Sequence, residues 1–432
     1  MQAMTSFFMA VISFVSSLFG IGPKTPVIPA DASAFEPTVR FMVCSDTHVD
    51  PNAAERIGRI PAALNFAYDI AESDDSYKNL DAAMFVGDVT NNGTEEQFAM
   101  VKKDFETGLR DGTKLLAICA RNHDGYAGTV ALDRMSEITG MDSDFHVVIN
   151  GFHFIGISRT NKDVSTRYSP YQRQWLREQL AAAEADDPAK PIFVCNHEHV
   201  FGTVYGSQLI EGWGVTYFND ILAQYPQVVH FSGHSHYPLN DPRSVQQGKF
   251  TTVGTGSMAY MEFTYHLDRS IHPAGNNQAA QAWIVEADAE NRIRLTGFDA
   301  LTGDILCRYL LPSLTDKSTF AYTTPNMKKL SSAPAFAGDA AVTLVKNEDG
   351  TVTATAPAAA STDGNIIFLY RVRVFNGAGI QTHSEYIINN YWQKNTYETV
   401  SFTVEAQKGY RIEITAENAY DMESAPVSTT VQ

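Results

Sequence analysis

Two textures of apolar and polar positions follow one another along this chain. From about Val39 to Phe320, short apolar runs alternate with longer stretches in which apolar side chains return every three or four residues. VRFMVCSD, DAAMFVGD, TKLLAICA, PIFVCNHEH and the QVVHF run before GHSH read as buried strands, and FHVVINGFHFIGIS reads as a hairpin. AAERIGRIPAALNFAYDIAES, EEQFAMVKKDFETGL and YSPYQRQWLREQLAAAEAD read as helices, the last with Ser169 near its start. Strand and helix in repeated alternation predict an α/β core with much of its sheet covered. KFTTVGTG, YMEFTYHLD, AQAWIVEADAENRIRLTGFDA and GDILCRYLL are strand-rich and are expected to build a second sheet against the first. From about Thr324 the texture changes to small residues and turn signals. IIFLYRVRVFN, TYETVSFTVEA and GYRIEITAENAYDMESAPVSTTV then alternate as half-buried strands, which predicts a small β-sandwich over 325–432.

Composition narrows the partners. The formal charge is -17 over 432 residues and no run of Lys and Arg interrupts it, so no long nucleic acid is expected as a partner. The four cysteines, Cys44, Cys119, Cys195 and Cys307, each lie in an apolar segment and are expected to be buried free thiols. Residues 1–36 begin with a charge-free apolar stretch from about Phe7 to Ile21, about the length of a signal-peptide core and too short for confident membrane crossing. No basic leader precedes it, the first basic residue being Lys24. An atypical export signal, a membrane-lying anchor and an ordinary packed helix are three readings of it. Secretion or attachment to a membrane or cell surface, through this stretch or the C-terminal module, is the expectation, and a cytoplasmic location stays open.

The candidate chemistry stands at the ends of the predicted strands. VRFMVCSDTH ends in Asp46 and His48, AAMFVGD in Asp88, LLAICARNHD in Asn122, His123 and Asp124, PIFVCNHEH in His197 and His199, and VVHFSGHSH in His234 and His236. Ligands of open α/β sheets collect beyond the carboxyl ends of strands, so five segments deliver polar groups to one rim. Taken singly, Asp46 reads as a helix N-cap, Asp88 as a brace for its turn and the histidines as satisfied core residues. Together, buried carboxylates and imidazoles carry a heavy desolvation penalty unless something positive joins them. Divalent metal ions meet that need, and nitrogen and oxygen donors suit manganese, zinc, iron or a similar ion. No GxxxxGK[ST] loop accompanies the core, which disfavours a kinase or NTP-driven motor.

The ordered set DTH, GD, NHD, a strand-terminal histidine and GHSH resembles the calcineurin-like metallophosphoesterase family, over Val39 to about Leu311. The resemblance implies two packed β-sheets flanked by helices over 37–320, with two metal ions. It implies that Asp46, His48 and His236 hold one ion, that Asn122, His197 and His234 hold the other, and that Asp88 bridges them. A hydroxide shared by the ions would then attack phosphorus in a small phosphate ester. A phosphomonoester is the favoured substrate, with phosphodiesterase or nucleotidase activity as the alternative, and an inert, metal-stabilised binding protein as the alternative of another class. His123 matches the family histidine that assists the transition state, with Asp124 expected to orient its ring. Arg121 replaces the family's usual glycine and is expected either to displace its loop or to reach substrate, and Asn91 and His199 are further candidates for substrate contact. Purple acid phosphatases place a tyrosine ligand where this chain has Asn91, so a tyrosinate-ligated iron centre is not expected. The closing YRIEITAENAYDMESAP resembles the end of a fibronectin type III domain, which implies an immunoglobulin-like sandwich acting as spacer or binding module.

Overall fold

The computed structural model describes residues 35–120, 122–126, 128, 130–160, 167–208, 214–265, 270–393 and 396–432. The apolar stretch at 7–21 and Arg121 therefore lie outside the described residues. Those described divide into two compact units, one of residues 35–324 with 390–396 and one of residues 325–389 with 397–432.

In the first unit, β1 (Pro37–Cys44) leads through α1 (Arg59–Ser73) to β2 (Ala82–Val86), and α2 (Glu95–Gly108) leads to β3 (Lys114–Ile118). These three strands run parallel. After α3 (Val130–Thr139), the hairpin of β4 (Phe145–Ile149) and β5 (Phe152–Ile157) is followed by α4 (Pro170–Asp186) and β6 (Ile192–Asn196). The short pair β7 (His199–Val200) and β8 (Gly214–Val215), then α5 (Asn219–Leu222), precede β9 (Val228–Ser232), β10 (Val245–Gln247) and β11 (Thr251–Gly254). A meander of β12 (Gln281–Asp288), β13 (Ile293–Asp299) and β14 (Asp304–Leu311) closes the unit. Among the described residues the strands form two six-stranded sheets, β14-β13-β12-β1-β2-β3 and β10-β11-β9-β6-β5-β4.

The alternation in β1 sorts its side chains between two cores. Phe41 faces the second sheet, its ring 4.9 Å from Phe154, 4.6 Å from Phe193 and 6.0 Å from Phe231. Met42 and Cys44 point the other way, into a cluster with Leu64 and Ala67 of α1 and Phe98 and Val101 of α2. The outer face of the second sheet is covered in the same manner, Ile155 and Val194 packing with Leu176 and Leu180 of α4. Strands buried on both faces read as near-continuous apolar runs, which is the texture seen in the sequence.

Three expectations need correction. The late strands β12–β14 do not build the second sheet; β12 pairs antiparallel with β1 and extends the first. Buried Arg40 pins that junction, its Nε donating to Glu286 Oε1 of β12 at 2.8 Å. YMEFTYHLD is no strand over its described residues, and Phe263 makes only an isolated bridge to Ile271. The helix anticipated from Ala53 starts only at Arg59, because Gly58 takes a left-handed backbone (φ 79°) that ends the preceding turn. The serine expected near the start of α4 does cap it: Ser169 Oγ accepts from Gln172 N and the Gln172 side chain accepts from Ser169 N.

Residues 390–396 complete the first unit. Trp392 is fully buried with its ring 5.0 Å from Phe263, and Gln281 Nε2 donates to the Trp392 carbonyl at 3.0 Å. The second unit holds two antiparallel sheets. β15 (Thr343–Lys346), β16 (Val352–Pro357) and β19 (Thr399–Val404) form one, and β18 (Gln381–Ile388), β17 (Ile367–Phe375), β20 (Arg411–Asn418) and β21 (Val427–Thr430) form the other. Ala354, Val372, Phe402 and Ile414 belong to a single buried cluster drawn from both sheets. Among the described residues no helix is long and apolar enough to cross a membrane. The four cysteines are free, and all but the partly exposed Cys307 are buried.

One buried histidine ties stability to acid. His230, in β9, is fully buried; its Nε2 donates to Asn196 Oδ1 at 2.6 Å and burial pushes its pKa down to about 3. The unfolded chain takes up that proton near pH 6.5 and the folded one does not, so this contribution is complete above about pH 6.5 and lost progressively toward pH 3. In His230→Gln, which keeps a donor for Asn196 but cannot titrate, the fall in urea midpoint between pH 6.5 and 4 is expected to be shallower than in the wild type.

Candidate metal centre

The parallel strands of both sheets bring their carboxyl ends to one rim. The segments after β1 and β2 run side by side, Asp46 N donating to Gly87 O (3.0 Å), His48 N to Asp88 O (3.1 Å) and Val49 N to Val89 O (2.9 Å). Across the other sheet, Gly233 N donates to His197 O at 2.9 Å, joining the ends of β6 and β9. The two rims meet where His234 N donates to Asp46 Oδ2 at 3.0 Å.

The backbone is bent out of its ordinary range to do this. Asp46, His48, Asp88, His234 and His236 have φ of 53°, 42°, 50°, 71° and 56°, the left-handed region that residues with a side chain seldom occupy. Each such residue costs roughly 1–3 kcal/mol, held in place by the surrounding bonds. Gly233 shows how tight the turn is, since a Cβ there would lie 2.3 Å from Ser45 Oγ and 2.4 Å from Asp46 Oδ2.

Two groups of donor atoms result. Asp46, His48 and His236 each offer one atom within 4.8 Å of the others, as do Asp88, His197 and His234. Asp88 also falls in a group with His48 and His123, so it lies between the two sets. His236 Nε2 is 3.2 Å from Asp46 Oδ1 and 3.1 Å from His48 Nε2, and His197 Nε2 is 3.1 Å from Asp88 Oδ2. Asn122 turns its amide to Asp88 Oδ2 at 3.1 Å and to His234 Nδ1 at 3.4 Å. The outer nitrogens are held by carbonyls: His197 Nδ1 donates to Val86 O (2.8 Å) and His236 Nδ1 to Tyr260 O (3.0 Å), which leaves Nε2 of each for the centre.

Electrostatics test whether metal ions suit this set. Asp46 Oδ1 and His197 Nε2 are buried and have no hydrogen-bond partner among the described residues. Burial alone would neutralise Asp46, yet His236 and His197 hold it below the usual carboxylate range. Burial likewise opposes a proton on His197, but Asp88 and Asp46 drive its pKa up to about 10. A cation would take the place of that proton. Burial keeps His48 and His234 neutral, the form that offers a lone pair, and presses His234 down to about 3. Buried carboxylates and imidazoles fit two divalent or first-row transition ions, and burial pushes the Cys44 and Cys195 thiols up, away from thiolate ligation or catalysis.

The remaining predicted residues divide. His123 sits at the centre, its ring 4.4 Å from that of His48, and its Nδ1 donates to the Asn91 carbonyl at 2.9 Å. Asp124 does not orient that ring: Oδ1 accepts from Thr90 N and Thr90 Oγ1 and Oδ2 from Ala120 N, so its carboxylate anchors the turn. Burial, followed by the Asp88 charge, raises its pKa to about 7. The Asn91 side chain donates to Asp50 Oδ2 and accepts from Arg56, while its backbone carbonyl holds His123. His199, a candidate for substrate contact, is buried with both ring nitrogens on Ser232 Oγ and Ser235 Oγ, each at 2.7 Å. Arg121 lies outside the described residues.

Several contributors carried no motif. Ser45 Oγ donates to Asp46 Oδ2, and Tyr260 supplies the carbonyl for His236. Arg56 Nη1 donates to the His48 carbonyl and to Asn91 Oδ1, both at 3.4 Å. Glu198, beside His197, is fully buried and accepts from Arg159 (3.0 Å) and Tyr168 Oη (2.5 Å). A charged residue inside an apolar run, as in VCNHEHV, was the only available signal for the last.

Residues 39–238 match the family described as calcineurin-like phosphoesterase, so the chain carries a domain of that kind. No curated protein matches it in sequence. Among solved structures it is similar to the purple acid phosphatase PPD1 from yellow lupin (Lupinus luteus) seeds, with 12% identity and a TM-score of 0.45, over 63% of this chain and 53% of that one. The chain thus spans about half the length of the lupin protein. It is also similar to the phosphopantetheinyl hydrolase PptH from Mycobacterium tuberculosis, with 14% identity and a TM-score of 0.31, over 52% of this chain and 91% of that one. Fibronectin(III)-like modules of Clostridium thermocellum CbhA match with 14% identity and a TM-score of 0.15, over 42% of this chain and 83% of theirs.

Metal in this centre should stabilise the fold. Chelation is expected to lower the melting temperature on the order of 5–10 °C, with recovery on adding manganese or zinc. In Asp46→Asn the chelator-induced shift should be largely absent, as read by differential scanning calorimetry.

Proposed function

We propose that this protein hydrolyses phosphate esters at a dinuclear metal centre, with a phosphomonoester as its substrate class. The observation that carries the reading is the meeting of two buried donor groups at one rim, where Asp46 Oδ1 and His197 Nε2 face only other members of the set, His236 at 3.2 Å and Asp88 at 3.1 Å, without a satisfied hydrogen bond. In this reading Asp46, His48 and His236 hold one ion, Asn122, His197 and His234 the other, and Asp88 both. Two cations supply the positive charge that acidifies water and offsets the charge of the phosphate oxygens.

The chain's own groups then have separate tasks. A water oxygen bonds to phosphorus as the ester P–O bond breaks, and the departing oxygen needs a proton. His123, with Nδ1 committed to the Asn91 carbonyl, has Nε2 left to deliver it when the ring is protonated. Arg56 supports the monoester over the diester, because a monoester brings an additional negative charge near neutral pH. It is held at the rim by the His48 carbonyl and Asn91, and its Nε, buried without a hydrogen bond, lies 3.7 Å from Glu55 Oε1. We place this activity in residues 37–320 and read 325–432 as a fibronectin type III-like spacer or binding module, supported by the shared core of its two antiparallel sheets. The apolar N-terminal stretch supports placing the protein outside the cell or at its surface.

Metal analysis coupled to hydrolysis of p-nitrophenyl phosphate and its bis ester, with and without manganese, tests the reading. Two metals per chain are expected, with faster turnover of the monoester. Asp88→Ala should abolish turnover, and His123→Ala should lower kcat by about 10²–10³ with its metal content retained. Full metal occupancy without turnover of any ester would identify an inert binding protein. Faster cleavage of the bis ester would identify a diesterase.

A further inference from the structure

We infer that Tyr126 is the platform for the leaving group, and that the preferred substrates are phosphate esters whose leaving group carries a planar aromatic ring. The inference rests on the phosphoesterase reading above and extends it to substrate class. Tyr126 follows three residues after His123 in the same turn, its backbone N donating to the His123 carbonyl at 3.2 Å. Its ring lies 5.0 Å from the His123 ring, and 52% of the residue remains exposed. The turn that sets this offset is anchored from below, since fully buried Asp124 takes bonds from Thr90 and Ala120.

Proximity carries the argument. His48, among the metal donors, lies 4.4 Å from His123, and the Tyr126 ring adjoins the same imidazole at 5.0 Å. A leaving oxygen that takes its proton from His123 brings its own substituent next to that imidazole, and Tyr126 is the half-exposed ring in contact with it. A ring laid on Tyr126 gains stacking that an aliphatic group of similar size does not. Exposed tyrosines are ordinary on protein surfaces, and what distinguishes this one is its fixed contact with the proton donor.

Two sources of such a ring, aryl esters and nucleoside monophosphates, share this chemistry. The test uses full-length, metal-loaded protein as wild type, Tyr126→Ala and Tyr126→Phe. Adenosine 5′-monophosphate and ribose 5-phosphate share their leaving oxygen and differ by the base, and p-nitrophenyl phosphate represents the aryl esters. For one ring-bearing substrate, kcat/KM relative to ribose 5-phosphate should fall about tenfold in Tyr126→Ala, mainly through KM, and stay within about twofold in Tyr126→Phe. Whichever substrate shows the fall names the source. A binding arm needs no turnover: calorimetry should give phenylphosphonate an advantage of about tenfold over methylphosphonate in wild type and Tyr126→Phe, absent in Tyr126→Ala. Turnover with no ring preference, or a ring preference that survives in Tyr126→Ala, overturns the inference alone. A ring advantage in binding with no ester hydrolysed overturns the hydrolase reading and leaves the platform standing.

Discussion

Carboxylates and imidazoles buried together at the ends of strands set the terms for the rest of this structure. Asp46, Asp88, His48 and His197 are essentially inaccessible to water, and Asp46 Oδ1 faces only imidazoles of the same cluster, the nearest being His236 Nε2 at 3.2 Å. An ionised carboxylate withdrawn from water carries a penalty of several kcal/mol unless a positive charge answers it. Histidine protons answer part of that need, and the pKa of His197 rises to about 10 for this reason. Metal ions answer it more fully, because several donors share one charge without demanding a proton each. The left-handed backbone at five of the donor positions adds strain that also needs support from the surroundings.

That support comes from layers on every side. β1 is buried on both faces, so the turn holding Asp46 and His48 grows from a strand packed between two cores. Behind His236 runs a second system: Tyr237 stacks on Tyr205 at 4.2 Å, the Arg243 guanidinium lies 3.8 Å from the Tyr205 ring, and Arg243 pairs with buried Asp241. Tyr391 Oη donates to the same Asp241 carboxylate at 2.8 Å. Tyr391 thus bonds to the loop that follows the GHSH donors, although it is far from them in sequence, its carbonyl also accepting from Asn240 Nδ2 at 2.7 Å.

Much of the candidate metal centre was legible because the residues that could hold ions occupy a recurring local position, just past an apolar run. Asp46, His48, Asp88, His197, His234 and His236 all stand there, and the end of a buried strand is where a polar group is both exposed to a ligand and fixed by its neighbours. Asp124 and His199 stand there too, yet they are engaged elsewhere. Their side chains turn inward to Thr90 and Ala120, and to Ser232 and Ser235, partners up to 36 residues away that no local pattern reveals. Tyr126 drew no attention in the sequence, since a tyrosine after a glycine is an ordinary turn residue until its ring is found beside His123.

By itself the sequence determined the α/β texture of the first unit, the all-β texture of the last, the absence of a thiolate pattern and the set of donors that metal ions would need. Those properties depend on periodicity and residue chemistry, which are local. Only the tertiary structure decided that β12–β14 extend the sheet of β1, which donors share a neighbourhood, and which nearby histidine and aspartate serve as struts. A strand buried on both faces looks the same beside any partner, and a side chain's task depends on where distant segments place its hydrogen-bonding groups.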